Sequence, residues 1–261
     1  MNKGTTAGGI SYRTTGEGRP LVFIHGWAMS LSVWQRQINY FAGKGFETTA
    51  IDLRGHGESS KDGPFTVSQM SYDLKGFIHE MGYKSPLLVG WSRGAMVVLD
   101  FVAKHSHSAS AICLVGGTPK FTLGEGFDYG LPSKDVKGMK LKLKRDFQRS
   151  IMEFREAIAG ELGEAEREIL LECLLPAPEG AKAGLMELMD IDLRDALDKV
   201  KVPALLVHGE NDHLCLPDAS RYMDNKLEKS ELFYIEGAGH VPFLSHENAF
   251  NKRLEDFIRR N

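Results

Sequence analysis

Short runs of apolar residues alternate along the chain with longer stretches in which apolar residues recur every three to four positions. The short runs predict buried strands at 20–25, 46–51, 86–90, 109–115, 203–208 and 231–236. The longer stretches predict amphipathic helices at 33–41, 67–81, 93–105 and 248–260. Strands that alternate with helices favour a mostly parallel sheet covered on both faces, so the sequence predicts an α/β architecture.

This alternation breaks between residues 118 and 196. The segment contains helix-like runs and no convincing strand, and two prolines, Pro176 and Pro178, separate its apolar helix faces. We predict that 118–196 is a helical cap inserted into a core formed by 1–117 and 197–261. Core and cap together are expected to form a single domain.

Composition excludes several classes of function. The 261 residues carry a formal net charge of −3 and are 42% hydrophobic, so the chain can bury a core but has no global field that would favour nucleic acid. No apolar stretch approaches the ~18 residues of a membrane span, and the N-terminus lacks the apolar centre of a signal peptide. We expect a cytoplasmic protein that binds neither membrane nor nucleic acid. The three cysteines are widely spaced and no Cys/His cluster appears, so we expect neither a disulfide framework nor a metal site.

The segment Gly90-Trp-Ser-Arg-Gly94 matches the pattern G-x-S-x-G. An apolar run ends directly in it and a helical pattern leaves it, which is the strand–turn–helix setting that exposes a nucleophilic serine. Small residues are required on both sides, because Cβ atoms there would collide with the neighbouring strand and helix. We therefore predict that Ser92 is a catalytic nucleophile; the alternative is a plain glycine turn.

A nucleophilic serine needs a general base, and the base needs a carboxylate that orients it. In this architecture both follow the serine along the chain, the acid before the histidine. Asp212 and His240 follow the last two predicted strands in that order. Because parallel strands end at one edge of the sheet, we expect both residues beside Ser92. Glu210 and His213 are the nearest rivals for the two roles.

Acyl transfer also needs N–H groups that stabilise the oxyanion of the tetrahedral intermediate. The backbone N–H of Arg93 is the first candidate, because it follows the nucleophile at the start of a helix. The backbone N–H of Trp27, in the loop after the first buried strand, is the second. His25 precedes a glycine in the same loop, which favours a role in building the turn over a catalytic one. The glycine-rich segment 52–59 lacks the spacing of a phosphate-binding loop.

Taken in chain order, the segments HGW, DLRGHGES, GWSRG, GENDH and GAGH resemble the α/β-hydrolase superfamily over nearly the whole chain. The tryptophans of the first and third segments, together with the segments 147–149, 184–194 and 239–246, resemble the pimeloyl-acyl-carrier-protein methyl ester esterases of biotin synthesis. The resemblance implies an α/β-hydrolase fold, the same Ser–Asp–His triad, backbone donors at the positions of Trp27 and Arg93, and no cofactor. It also implies that arginines of the cap bind an acidic carrier protein, and Arg149 matches such a position.

The cap carries a basic segment at 134–149. Seven of its residues are basic and two are acidic, within a chain whose net charge is negative. Such a patch is suited to steer an acidic acyl-carrier protein or an acidic small substrate. Glu153 and the acidic stretch after it depart from the family pattern, and a solvated helix face is the alternative interpretation.

The predicted activity is hydrolysis of a carboxylic ester through an acyl-enzyme, with the pimeloyl-carrier methyl ester as the substrate that the resemblance implies. A generic short-chain carboxylesterase and a C–C bond hydrolase use the same triad and stay open, and a non-catalytic binding module is the alternative outside enzymes. Trp27, Trp91 and Phe147 are predicted to line the acyl pocket, with ordinary core packing as the competing interpretation. Arg149 is predicted to contact the substrate or its carrier.

Overall fold

A computed structural model describes residues 1–160 and 162–261, so one position of the predicted cap, residue 161, lies outside the described residues. The described residues form an eight-stranded sheet with the spatial order β1-β2-β4-β3-β5-β6-β7-β8. The first two strands run antiparallel to their neighbours, and all later pairs are parallel. The strands are β1 Asn2–Thr5, β2 Ser11–Thr15, β3 Arg19–Ile24, β4 Phe46–Ile51, β5 Leu87–Trp91, β6 Ala111–Val115, β7 Ala204–Gly209 and β8 Ser230–Ile235.

Helices cover both faces of this sheet, and their apolar sides join two buried clusters, one on each face. The helices of the core are α1 Gln35–Ala42, α2 Val67–Glu80, α3 Arg93–Lys104, α9 Pro217–Asp224, α10 Pro242–Ser245 and α11 Glu247–Arg260, with a short 3-10 helix at Leu31–Trp34. The helices between β6 and β7 are α4 Ser133–Arg145, α5 Phe147–Ile158, α6 Glu164–Leu171, α7 Pro178–Asp190 and α8 Arg194–Leu197.

The strands predicted from apolar runs correspond to β3 through β8, each within two residues of its predicted ends. The mostly parallel α/β sheet is therefore confirmed. The predictions missed the N-terminal hairpin β1–β2, which extends the sheet at the β4 side. These two strands are largely exposed or half-buried, so their sequence lacks the apolar run that marks the central strands.

The segment predicted as a cap adds no strand to the sheet along its described residues. Its two ends lie side by side: Leu193 N donates to Pro119 O over 2.8 Å, and Lys120 Nζ bonds Asp192 Oδ2 at 3.1 Å. Between these ends, α4 to α7 pack over the carboxyl edge of the sheet. In the part of the chain that the structure describes, no helix is long and apolar enough to cross a bilayer.

Candidate active site

The turn between β5 and α3 holds Ser92 in a strained conformation. Its φ is 55° and its ψ is −117°, a region that residues with a Cβ rarely adopt. A Cβ at Gly90 would collide with the backbone of Gly94, and a Cβ at Gly94 would collide with the carbonyls of Ile24 and His25. Glycine on both sides therefore lets the strand, the turn and the helix approach closely enough to present Ser92 at the sheet edge.

Asp212 and His240 meet at this edge in the loops that follow β7 and β8. His240 Nδ1 lies 2.7 Å from Asp212 Oδ2, and both side chains are almost fully buried. The other carboxylate oxygen, Oδ1, accepts the N–H groups of Leu214 and Cys215 at 2.9 and 3.0 Å. The Trp91 indole N–H, next to the nucleophile, donates to His240 O over 2.8 Å. This bond joins the loop after β8 to the turn that holds Ser92.

Buried groups around Asp212 keep it ionised. Burial itself opposes the charged form, but the attraction of His240 and the contacts of His240 and His208 outweigh it and lower the pKa of Asp212 far below its ordinary value. His208, a residue that sequence reasoning treated only as part of a strand, lies with Nε2 3.1 Å from Asp212 Oδ2. The same nitrogen lies 2.7 Å from Cys215 O, and His208 Nδ1 lies 2.6 Å from Ser220 Oγ. A carboxylate held in this way can orient an imidazole and stabilise its protonated form.

The Cys215 thiol lies against the nucleophile. Burial and the charge of Asp212 raise the pKa of this thiol well above its ordinary value. A hydrogen bond with Ser92 lowers the pKa but does not offset these two effects. The thiol therefore stays protonated at neutral pH.

The loop after β3 passes directly over Ser92. A Cβ at Gly26 would lie 3.2 Å from Ser92 Cβ, so glycine permits this close approach. His25 Nε2 accepts Leu53 N–H at 3.0 Å, which leaves the ring proton on Nδ1 to be donated to Gly26 O at 2.7 Å. Because Gly26 C=O and Trp27 N–H belong to one peptide group, this bond fixes the direction of the Trp27 N–H. His25 thus shapes the turn, and burial lowers its pKa against the attraction of Asp52.

The backbone N–H of Arg93, the other predicted oxyanion donor, begins helix α3, where the first N–H groups have no partner within the helix. The Arg93 side chain is fully buried and bonds Glu187 of α7 at 2.8 Å. Glu187 also accepts Val67 N–H, at the start of α2, at 2.8 and 2.9 Å. Sequence reasoning considered only the backbone of Arg93 and missed this buried ion pair.

A cavity of about 380 Å³ opens beside the His240–Asp212 pair. Its walls are mainly apolar and come from the loop after β3, from α4 and α5 of the cap, and from the loop after β7. The lining includes Trp27, Met139, Leu143, Phe154 and Leu214. The Trp27 ring stacks edge-on against Phe154 at 4.8 Å, and its indole N–H bonds Ala181 O at 3.0 Å. The cavity can hold an acyl chain next to the imidazole.

The structure brings Trp27 into this lining but not Trp91 or Phe147, which were predicted there. Trp91 belongs to β5 and points into the core, where its ring packs on Phe243 at 5.1 Å. Phe147 begins α5 and packs half-buried against the core cluster. The apolar face of α5 instead contributes Phe154 and Ile158, about two and three turns further along the helix than Phe147. The periodicity of the cap identified that face, but it could not show which end covers the site.

The rivals to the predicted acid and base lie apart from the central contact. Glu210 is exposed, and His213 is an exposed residue of the cavity wall. The predicted substrate contact Arg149 lies outside the cavity, in a polar groove that shares Lys142, Ser150 and Glu153 with the cavity lining. Arg149 Nε bonds Glu153 at 2.8 Å, and Lys142 Nζ lies 3.7 Å from the same carboxylate.

Among the residues that the structure describes, no group of three or more His, Cys, Asp or Glu side chains could hold a metal ion. The polar groups gathered at the sheet edge are instead those of a serine, a histidine with its carboxylate, and two backbone N–H groups.

Comparisons with known proteins identify the family of this chain. The model of the alpha/beta hydrolase family matches residues 21–253. A pimeloyl-[acyl-carrier protein] methyl ester esterase of Nitrosospira multiformis is 30% identical over 253 residues, which cover 94% of this chain and 96% of the relative.

Solved structures give the same answer for the fold. An esterase of Exiguobacterium antarcticum is 26% identical and superposes with a TM-score of 0.87, covering 96% of this chain and 95% of its own. A bromoperoxidase of Bacillus anthracis, at 23% identity, reaches a TM-score of 0.89 over 96% of this chain and 95% of its own. The predicted α/β-hydrolase fold is confirmed, and the chain belongs to the alpha/beta hydrolase family.

Proposed function

We propose that this hydrolase is a serine carboxylesterase that works through an acyl-enzyme on Ser92. The observation that carries the proposal is the 2.7 Å contact between His240 and Asp212, at the edge where the strained turn presents Ser92. An imidazole whose Nδ1 is bound to a carboxylate has Nε2 available as a general base.

In the first half of the reaction, His240 takes the Ser92 proton while Oγ attacks the ester carbonyl. The N–H groups of Trp27 and Arg93 stabilise the oxyanion of the tetrahedral intermediate. The C–O bond to the alcohol then breaks, and the alcohol leaves with the proton from His240. In the second half, water gives a proton to His240 and attacks the acyl carbon. The bond between that carbon and Ser92 Oγ then breaks, His240 returns the proton to Oγ, and the acid is released.

The substrate that we propose is the methyl ester of a pimeloyl chain attached to an acyl-carrier protein. The named activity of the Nitrosospira relative supports it, as does an apolar cavity whose mouth adjoins a groove lined by Lys142, Arg145 and Arg149. An acyl chain in the cavity, with its ester at Ser92, would lead out to an acidic carrier on this groove. The predicted cytoplasmic location belongs to the same proposal.

A generic short-chain carboxylesterase is the second candidate, and Glu153 favours it. This carboxylate binds Arg149 and lies near Lys142, so it neutralises part of the charge that a carrier would meet. Hydrogen bonding from Arg149 lowers the pKa of Glu153, which keeps it charged at neutral pH.

The test compares three substrates: carrier-linked methyl pimelate, free methyl pimelate and p-nitrophenyl butyrate. The proposal expects all three to depend on Ser92, with kcat/KM for the carrier-linked ester at least about tenfold above that of the free ester, because charge steering raises encounter rates. Turnover without carrier preference would favour the generic carboxylesterase. Undiminished turnover by Ser92→Ala would overturn the mechanism, and an enzyme inactive on all esters would favour a binding module.

A further inference from the structure

Arg155, on cap helix α5, is a buried arginine that the mechanism does not use. It is 1% exposed, and its guanidinium bonds only backbone carbonyls in the described part of the chain. Three of these, Leu171 O, Cys173 O and Leu174 O, belong to the cap. The fourth is Ala28 O in the loop after β3, which Nη2 and Nε reach at 2.7 and 3.3 Å.

Ala28 has an unusual backbone conformation, with φ at 61° and no exposed surface. A residue with a Cβ is strained there and stays only if its surroundings hold it. His56 Nε2 accepts the Ala28 N–H at 3.3 Å, and Arg155 binds the Ala28 C=O. Both peptide groups that flank Ala28 are thus fixed, one by a core histidine and the other by a cap arginine.

This strained residue directly follows Trp27, whose N–H is one of the oxyanion donors in the proposed mechanism. His25 holds the preceding peptide group through Gly26 O, so side chains hold three successive peptide groups around this donor. Relaxation of Ala28 to negative φ would rotate the adjoining peptide and displace the Trp27 N–H. Helix α5 also contacts the loop through Phe154, which packs on the Trp27 ring.

We infer that Arg155 is a positioning residue for the oxyanion site: it holds the Ala28 carbonyl and so makes the direction of the Trp27 N–H depend on the seating of cap helix α5. The inference rests on the proposed serine-esterase function. A guanidinium suits the role because its planar set of five donors can bind carbonyls on both the cap side and the loop side. A lysine keeps the charge but has one donor atom and cannot bridge the same carbonyls.

The test measures Arg155→Lys and Arg155→Met on p-nitrophenyl butyrate. Both variants are expected to lower kcat about ten- to hundredfold with KM changed less than about threefold, because a misdirected oxyanion donor weakens the transition state and not substrate binding. The Ki of a trifluoromethyl ketone, which forms a tetrahedral adduct with the serine, is expected to rise in proportion to the fall in kcat/KM. Leu170→Ala is the matched control, because Leu170 is fully buried in the neighbouring cap helix α6 and does not bond the loop.

Each outcome decides the inference. The inference is supported if Leu170→Ala lowers Tm but keeps kcat within about twofold of the parent, whereas Arg155→Lys loses kcat. Equal Tm losses with unchanged kcat in the Arg155 variants would reduce Arg155 to a stabilising cap residue. If Arg155→Met does not fold, hydrogen exchange of Arg155→Lys decides: faster exchange at 26–29 supports the inference, and faster exchange at 171–174 alone overturns it. Ser92→Ala, run alongside, shows separately whether the proposed function fails.

Discussion

Ser92 combines a strained backbone with a side chain that lies at the junction of three loops. Gly90 and Gly94, where a Cβ would collide with backbone atoms, permit this conformation of Ser92, and the turn presents the hydroxyl at the point where β5 ends. The His240 loop is joined to the same point through Trp91. The backbone conformation of the turn and the contacts of its neighbours therefore decide where the candidate catalytic side chains lie.

The first prediction concerns the proposed triad. Ser92→Ala and His240→Ala should each lower kcat on p-nitrophenyl butyrate by about 10⁴–10⁶, because the members act as one unit. Asp212→Asn should lower it by about 10⁴, since an amide favours the wrong imidazole tautomer. Glu210→Gln, an exposed acid in the same loop, is the control and should leave kcat within about twofold. More than a tenth of the activity remaining in Ser92→Ala would contradict the triad.

A second prediction separates serine chemistry from thiol and metal chemistry. All three cysteines are buried, and burial raises the pKa of the Cys113 thiol, as burial and Asp212 raise that of Cys215. Iodoacetamide at pH 7 should therefore leave the activity of the folded enzyme unchanged, since the thiolate is the reactive form. Prolonged EDTA treatment should do the same, whereas a serine-directed organophosphonate should abolish activity and add one adduct by mass. Inactivation by EDTA that zinc reverses would refute the serine mechanism.

The sequence singled out the candidate catalytic residues more readily than the residues that support them. Ser92, Asp212 and His240 could be selected because each follows a recognisable strand, and strand ends are fixed by topology. The side chains of Arg155 and Arg93 could not be assigned a role, because a charged side chain is ordinarily exposed and its burial depends on partners distant in sequence. Of the three residues predicted for the acyl pocket, Trp27 lines the cavity and Trp91 and Phe147 do not, since the apolar face of α5 does not reveal which of its turns lies over the site.

At the scale of elements, the cap is bound to the core by buried polar contacts. Glu187 of α7 pairs with Arg93 at the start of α3 and accepts Val67 N–H at the start of α2. Glu187→Ala should lower the free energy of unfolding by about 3–5 kcal/mol, because it leaves a buried guanidinium without its counter-charge. Glu179→Ala, an exposed acid on the same helix, should cost less than about 1 kcal/mol. Urea unfolding measures the free energy of unfolding of both variants. Equal losses would mean that the Glu187–Arg93 ion pair does not stabilise the fold.

The ends of the cap segment make a further prediction, on pH. A hydrogen bond from Arg194, and then one from Lys120, lower the pKa of Asp192 to about 2 against the effect of burial. The unfolded value is about 3.9, so the stabilisation is fully present above about pH 4 and is lost as pH falls toward 2. Since Asp192 is about a third exposed, Asp192→Asn should cost no more than about 1 kcal/mol at pH 7. The difference between the two proteins in urea unfolding should shrink toward zero at pH 2; a constant difference would exclude the ion pair as its cause.

At the scale of the whole molecule, charge is distributed unevenly over a chain of small net charge. Helix α4 and the start of α5 carry the basic segment 134–149 beside the mouth of the cavity, while Lys199, Lys226 and Lys229 lie exposed near the amino ends of β7 and β8. Parallel strands have their amino ends at the edge opposite the site. The segment 134–149 thus adjoins the cavity, whereas Lys199, Lys226 and Lys229 form an exposed basic set away from it.

These two sets allow a matched test of carrier binding, which is the last prediction. Reversing Lys144, Arg145 and Arg149 to glutamate should raise KM for a carrier-linked methyl ester about tenfold or more, since exposed pairs contribute ~0.2–1 kcal/mol each and reversal also adds repulsion. The same reversal of Lys199, Lys226 and Lys229 changes the net charge equally and should leave that KM within about twofold. Neither triple variant should alter kcat on p-nitrophenyl butyrate, because the residues changed lie outside the core loops.

Raising salt should raise the parent enzyme's KM for the carrier-linked ester and leave p-nitrophenyl butyrate turnover unchanged, as screening acts beyond a Debye length of ~8–10 Å. An equal response of the two variants, or of the two substrates, would make the basic segment a solvated face and favour the generic carboxylesterase.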